Sequence, residues 1–255
     1  MRTSKNLMLW MLIVPFLFLL SCKDDAEAPA NDPFAIMTEY MVAQSLDLPD
    51  VLDGWITARP ATAEDIPTFL SNRFVMDLRA PADFEAGHIA GAVNTSLGTL
   101  LADAQNAGGK QILLVCYTGQ TAGHANVALR LSGFTNAQVL KWGMSGWAEA
   151  FSGPWNNNLG SGAVGNANWK NDGNTAALET FQAPAFTSTS TSGSEILAER
   201  VAFMLSNGFQ GVAGADVYGD PSLFHINNYW AQEDVDHYGH INTAYRIQPL
   251  SIVNG

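Results

Sequence analysis

QILLVCYTGQTAGH, residues 111–124, is the stretch on which the reading of this chain turns. Gln111 to Val115 is a short run of high strand propensity bounded upstream by Gly108 and Gly109, which predicts a strand buried on both faces. Cys116 stands at its carboxyl end. Tyr117-Thr118-Gly119-Gln120-Thr121 follows as a polar loop with a turn-forming glycine at its centre, and Ala122 to Leu131 resumes helical spacing before Gly133. The predicted order is strand, thiol, tight loop, helix. In that order the loop N–H groups and the positive end of the helix converge on one point and favour an anion there. For a cysteine the anion is the thiolate, the nucleophilic form.

Two segments further out extend the pattern: FVMDLRAPADFEAGHIAGAVN at 74–94 and LSGFTNAQVLKWGMSGW at 131–147. The loop CYTGQTAG, after its buried strand, resembles the active-site loop of the rhodanese (sulfurtransferase) family. The first outer segment is similar to that family's Asp-x-Arg strand and Glu-x-Gly-His-Ile-x-Gly-Ala-x-Asn turn, and the second resembles its Gly-Trp ending. All three stand in the family's order, over about residues 62–151. The resemblance implies an α/β fold, with a mostly parallel sheet, helices on both faces and the site at the carboxyl ends of the strands. It also implies sulfur transfer: Cys116 takes a sulfane sulfur from a small donor, thiosulfate or a persulfide, and passes it to a thiol or cyanide. The cradle would be Tyr117, Thr118, Gly119, Gln120, Thr121 and Ala122, and no cofactor is implied.

Arg79 and His124 are the outlying candidates. An arginine at a strand end most often satisfies local carboxylates and carbonyls, so Arg79 is read first as a brace for Asp77. His124 lies eight residues after Cys116, about two turns into the helix. His88 is read as part of a fixed turn, and Gly143, Gly146 and Trp147 as the closing turn and core plug. The loop has no Arg or Lys, which departs from many family members and suits a persulfide or small organic sulfur donor as well as thiosulfate. A cysteine phosphatase would need an arginine clamp on phosphate, which the loop lacks. The alternative to turnover is a sulfur carrier working with a partner protein.

Composition narrows the partners. A formal net charge of −12 makes nucleic acid an unsuitable ligand and would repel anions at long range, so any anion preference is local to the loop. No CxxC pair or His/Cys cluster has ligand spacing, so no metal is expected. Residues 1–21 read as a targeting segment, with Arg2 and Lys5 before an apolar run from Leu7 to Leu20 that is shorter than the about 20 residues of a bilayer span. Leu19-Leu20-Ser21-Cys22 resembles a lipobox. Cys22 would then be acylated, residues 22–33 would form a tether, and the protein would be lipid-anchored to the outer membrane on its periplasmic or surface face. Cys116 would remain as the sole thiol, which excludes an internal disulfide.

The remaining chain divides by composition. Residues 34–152 form the cysteine-bearing domain with an N-terminal helix from Phe34 to Leu46, a short helix at 63–70 and a strand at 74–78. Residues 153–193 are rich in Gly, Asn, Ser and Thr and read as a linker, tacked onto the first domain by Trp155 and Trp169. Residues 194–255 read as a partial second repeat. Ile226 to Ala244 resembles Val75 to Ala92 with one extra residue, Glu195 to Leu205 would supply the preceding helix, and the absence of cysteine predicts no chemistry there.

Overall fold

The computed structural model describes residues 32–179 and 181–253. The targeting segment 1–21, Cys22 and most of the tether lie outside the described residues. The strands are β1 (Ile56–Thr57), β2 (Arg73–Asp77), β3 (Val93–Asn94), β4 (Gln111–Val115), β5 (Gln138–Leu140), β6 (Trp169–Lys170), β7 (Asn227–Asn228), β8 (His240–Ile241) and β9 (Tyr245–Arg246). The first helices are α1 (Pro33–Ala43), α2 (Leu48–Leu52), α3 (Ile66–Ser71), α4 (Pro81–Ala86), α5 (Leu100–Ala104) and α6 (Gln120–Leu131). They are followed by α7 (Gly143–Trp147), α8 (Gly153–Asn156), α9 (Gly193–Asn207), α10 (Gly214–Gly219) and α11 (Gln232–Tyr238).

β1 to β5 make one sheet in the order β1-β5-β4-β2-β3, with every pair parallel. β4 is central, and its register against β2 runs from Arg73 opposite Gln111 to Asp77 opposite Val115. Its unbroken apolar run follows from the two-residue period of a strand covered on both sides. Ile112 and Leu114 enter the layer under α1, α5, α6 and α9, while Leu113 and Val115 enter the opposite layer with Ile89, Leu140 and Met144. The expected α/β architecture with helices on both faces is the one observed.

Helix α1 starts where Pro33 fits its first position and the Asp32 carboxylate accepts the Phe34 N–H at 3.0 Å. The short helix expected at 63–70 occupies Ile66–Ser71, and the strand expected at 74–78 occupies Arg73–Asp77.

Helix α9 departs from the domain boundary drawn from the sequence. Ile196, Leu197 and Val201 are buried, and the last two join the first domain's core with Met37, Tyr40 and Met41 of α1. A Cβ on Gly193 would stand 2.4 Å from the Tyr40 Cβ, so the absence of a side chain lets α9 approach α1 closely. The helix assigned to the 194–255 unit is therefore a layer of the first domain, because its apolar face is complementary to α1 and α6.

The rest of that unit shares local features with the front of the domain. Met76 pairs with Val93, seventeen residues on, and Asn227 pairs with Tyr245, eighteen residues on, so the one extra residue is absorbed between the strands. Asp77 Oδ1 accepts the Arg79 N–H at 3.0 Å, and Asn228 Oδ1 accepts the Trp230 N–H at 2.9 Å. The Ala92 N–H bonds the Ile89 carbonyl at 2.9 Å, as the Ala244 N–H bonds the Ile241 carbonyl at 3.1 Å. The second stretch has Asn and Trp in place of Asp and Arg and hence no ion pair at that corner. Its partner strand comes from the stretch read as a linker, where β6 runs antiparallel to β8. Trp155 does tack that stretch onto the first domain, 4.6 Å from the Trp142 ring, whereas Trp169 packs on Tyr218 at 6.0 Å.

Asp47 joins the two ends of the described chain. Its buried carboxylate accepts the Leu48 N–H at 2.7 Å and the Ile252 N–H at 2.8 Å. Burial pushes its pKa up, but the N–H groups of Ile252, Leu48 and Val253 outweigh that and hold it below the ordinary carboxylate value. A pKa lowered by folding contributes stability that is present above the unfolded value of about 3.9 and is lost as pH falls through the folded value. The Ile252 amide is therefore expected to stay protected from hydrogen exchange at neutral pH and to lose protection, relative to core amides, as pH drops below about 4. Equal protection ratios across that range would refute the clasp.

Candidate active site

Cys116 leaves the carboxyl end of β4 with its side chain turned inward, only 2% exposed. The chain then reverses at Gly119, where φ is +97°, a conformation that glycine adopts without steric cost. The reversal returns the backbone over the sulfur. Sγ accepts the Gly119 N–H at 3.1 Å and the Ala122 N–H at 3.4 Å, and α6 begins between them at Gln120. The partial positive charge at the start of a helix thus faces the thiol and stabilises negative charge on it.

A second backbone turn props the loop from below. After β5, Trp142 and Gly143 both take positive φ, +64° and +57°. This lets the Met144 N–H bond the Cys116 carbonyl at 2.8 Å and the Ser145 N–H bond the Tyr117 carbonyl at 3.0 Å. A Cβ on Gly143 would lie 2.4 Å from the Cys116 oxygen and 2.9 Å from the Thr118 nitrogen, so the two turns stack backbone on backbone.

Tyr117 sends its side chain out of the cradle, and its hydroxyl donates to the Asp83 carboxylate on α4. Burial and then the bond to Asp83 push the phenol pKa up, so the hydroxyl remains a donor. Thr118 and Gln120 face a groove on the outer side of the loop. Of the predicted cradle, Gly119 and Ala122 supply N–H groups to sulfur, and Tyr117 anchors the loop to α4.

Arg79 is buried at 3% exposure and grips Asp77, with Nη2 2.7 Å from Oδ2. The same Nη2 donates to the Gly87 carbonyl at 2.7 Å, and the guanidinium stands over the Phe151 ring. Its hydrogen bonds thus close the corner after β2. His88 serves the same corner, its Nδ1 2.8 Å from the Phe84 carbonyl and its ring stacked on Phe84. His124 sits edge-on to Phe209 on the groove side of α6. Among the described residues no group of three or more His, Cys, Asp or Glu is placed to hold a metal ion, and no helix is long and apolar enough to cross a membrane.

The stretch that carries this loop and both of its props, residues 62–150, matches the family model described as Rhodanese-like domain. Residues 62–150 are a rhodanese-like domain. The chain is 36% identical over 80 residues to a protein of Escherichia coli K12 described as Uncharacterized protein YibN, and equally to the protein of that description from Escherichia coli O6:H1. The match covers 29% of this chain and 54% of each relative, so the chain spans about half the length of the curated relatives it matches. Among solved structures it is similar to a rhodanese-related protein from Thermoplasma volcanium, at 22% identity and a TM-score of 0.32, over 37% of this chain and 91% of that one. It is also similar to reduced CoADR-RHD of Bacillus anthracis, at 22% identity and a TM-score of 0.31, over 41% of this chain and 18% of that one. β1, α1 and α9 lie outside the rhodanese-like match.

Sequence reasoning missed three features of the site. Asp83 lies 34 residues from its partner Tyr117, Trp142 takes a backbone conformation rare for a bulky residue, and Phe209 arrives from a segment assigned to another unit. Of these, only the Trp142-Gly143 pair left a local trace, as a glycine three residues after a strand.

Proposed function

We propose that the protein moves a sulfane sulfur through a persulfide on Cys116. The observation that carries this reading is the pair of N–H groups, Gly119 and Ala122, aimed at Sγ within a rhodanese-like domain. The Cys116 thiolate attacks the outer sulfur of the donor, the donor's bond to that sulfur breaks, and the leaving group departs with the electron pair. Cys116 then carries the extra sulfur, whose negative charge lies in the same cradle. A thiolate or cyanide attacks the outer sulfur and Cys116 leaves as thiolate, so the cycle is redox-neutral.

The donor follows from local charge. The cradle uses only backbone dipoles, and the Asp83 carboxylate stands at the Tyr117 hydroxyl. A singly charged or neutral donor, such as a low-molecular-weight persulfide, fits this surrounding better than the dianion thiosulfate. Intact-mass measurement after incubation with cysteine persulfide, a monoanion, and separately with thiosulfate, tests both points. The expected result is a gain of one sulfur atom, faster with the persulfide and cleared by cyanide. No gain with either donor would end the sulfurtransferase reading, and a stable gain without multiple turnover would favour the carrier.

We also propose that Cys22 carries a lipid that holds this chemistry at the cell envelope, on the strength of Leu19-Leu20-Ser21-Cys22. Cys22→Ser is then expected to shift the protein from the membrane to the soluble fraction, and an unchanged distribution would remove the anchor.

A further inference from the structure

Beside the active loop lies a groove of about 520 Å³ between the first turns of α6 and the β1–β5 edge. Its walls include Trp55, Ile56, Gly123, Val127, Trp142 and Phe209. Volume and apolar character are those of small-molecule sites, which run to roughly 300–1,000 Å³. We propose that this groove seats the aromatic body of the sulfur acceptor, an organic thiol, an inference that rests on the sulfur-transfer reading above.

Four observations converge on that class of ligand. Three of the lining residues, Trp55, Trp142 and Phe209, are aromatic, and aromatic pairs gain energy beyond area burial. Among the groove residues there is no Asp or Glu, in a chain of net charge −12, and the basic side chains lining it are Lys141 and His124. A cation is therefore unsuited, and a neutral or anionic ligand fits. His124, which lines the groove, has a buried Nε2 with no hydrogen-bond partner among the described residues. Finally, Trp142 holds φ +64° and is 49% exposed at the groove mouth, beside Trp155. A bulky residue held in a sparsely populated backbone region is a feature that clusters at ligand sites.

The groove and the sulfur share a wall. Gly119 donates its N–H to Sγ and also lines the groove, so one residue belongs to both the cradle and the groove wall. Arg130 sets the far wall by donating to the Val51 and Asp53 carbonyls, at 3.0 and 2.6 Å, which holds the chain leading to Trp55 against α6. Trp55, Ile56 and Phe209 all fall outside the 62–150 match, so one wall of the groove is built by residues beyond the matched stretch. In the transfer step the acceptor thiolate attacks the outer sulfur of the Cys116 persulfide. A new S–S bond forms on the acceptor, the Cys116 S–S bond breaks, and its electron pair returns to Cys116 as thiolate.

The test uses the purified full-length chain, loaded with cysteine persulfide, with 4-mercaptophenylacetate, 2-mercaptoethanol and cyanide as acceptors. The aromatic thiol is expected to show a KM about tenfold below that of 2-mercaptoethanol. Gly123→Leu points a side chain toward Trp55, whose ring would be 3.6 Å from the new Cβ. It is expected to raise the aromatic KM about tenfold relative to that for cyanide, and Val127→Phe is a second filling variant should the first fail to fold. Calorimetric binding of 4-hydroxyphenylacetate, which has no sulfur, reports on the groove alone and should weaken in both variants. Equal KM values for the two thiols, or binding unaltered by filling, would overturn the proposal. Failure of the chain to take up sulfur, with this binding intact, would instead overturn the sulfur-transfer reading.

Discussion

Cys116→Ser is expected to lose the sulfur mass gain entirely and to lower sulfur transfer at least about a thousandfold, while the fold persists. Serine oxygen can accept the same Gly119 and Ala122 N–H groups that now serve Sγ at 3.1 and 3.4 Å, so the loop retains its partners. The hydroxyl does not ionise near neutral pH, and its oxygen cannot form the S–S bond of a persulfide. The melting temperature should therefore stay within about 3 °C of wild type, as a change of under 1 kcal/mol implies for a chain of this size. Mass spectrometry with each donor, alongside thermal denaturation, checks both halves. Retention of sulfur by the serine variant would place the nucleophile elsewhere.

Gly143→Ala should give the largest loss of stability among single-methyl additions to the site. At φ +57° an alanine is strained by about 1–2 kcal/mol even in free space. Here its Cβ would also sit 2.4 Å from the Cys116 carbonyl oxygen, closer than real Cβ contacts allow, and the atoms it meets are backbone. Pushing the two turns apart costs a further 1–3 kcal/mol, roughly, as overpacking does. The combined loss, about 2–5 kcal/mol, should lower the melting temperature by about 10 °C and slow persulfide loading, because the displaced atoms belong to the cradle. Gly91→Ala is the control. Gly91 has φ +76° with nothing within 4 Å of a Cβ, so strain acts there without collision. If the two variants melt together, backbone stacking of the turns is not what holds the loop.

The site was legible wherever its chemistry is local. Gln111 to Val115 reads as a doubly covered strand because each residue type records the burial of its own position, and Cys116, Gly119 and the α6 start follow within one turn of chain. The likeness between two corners was legible for the same reason, since Gly-His-Ile stands at 87–89 and again at 239–241, each between a pair of parallel strands. The domain boundary near 194 misled. Composition marks where regular structure resumes but not which core it joins, and α9 joins the first one because Leu197 and Val201 meet Met37, Tyr40 and Met41. Trp169 misled likewise, since an aromatic in a polar stretch announces that it will pack but names no partner.

By itself, then, the amino-acid sequence determined the strand–thiol–loop–helix unit, the parallel α/β class and the order of the three motifs, all of which depend on neighbours a few residues apart. Tertiary structure alone decided the prop beneath Cys116, the Tyr117–Asp83 strut and the groove between Trp55 and Phe209. Each of these depends on side-chain complementarity between segments distant in the chain. A periodicity carries no record of such contacts, because loop closure permits many pairings of similar cost and packing selects among them.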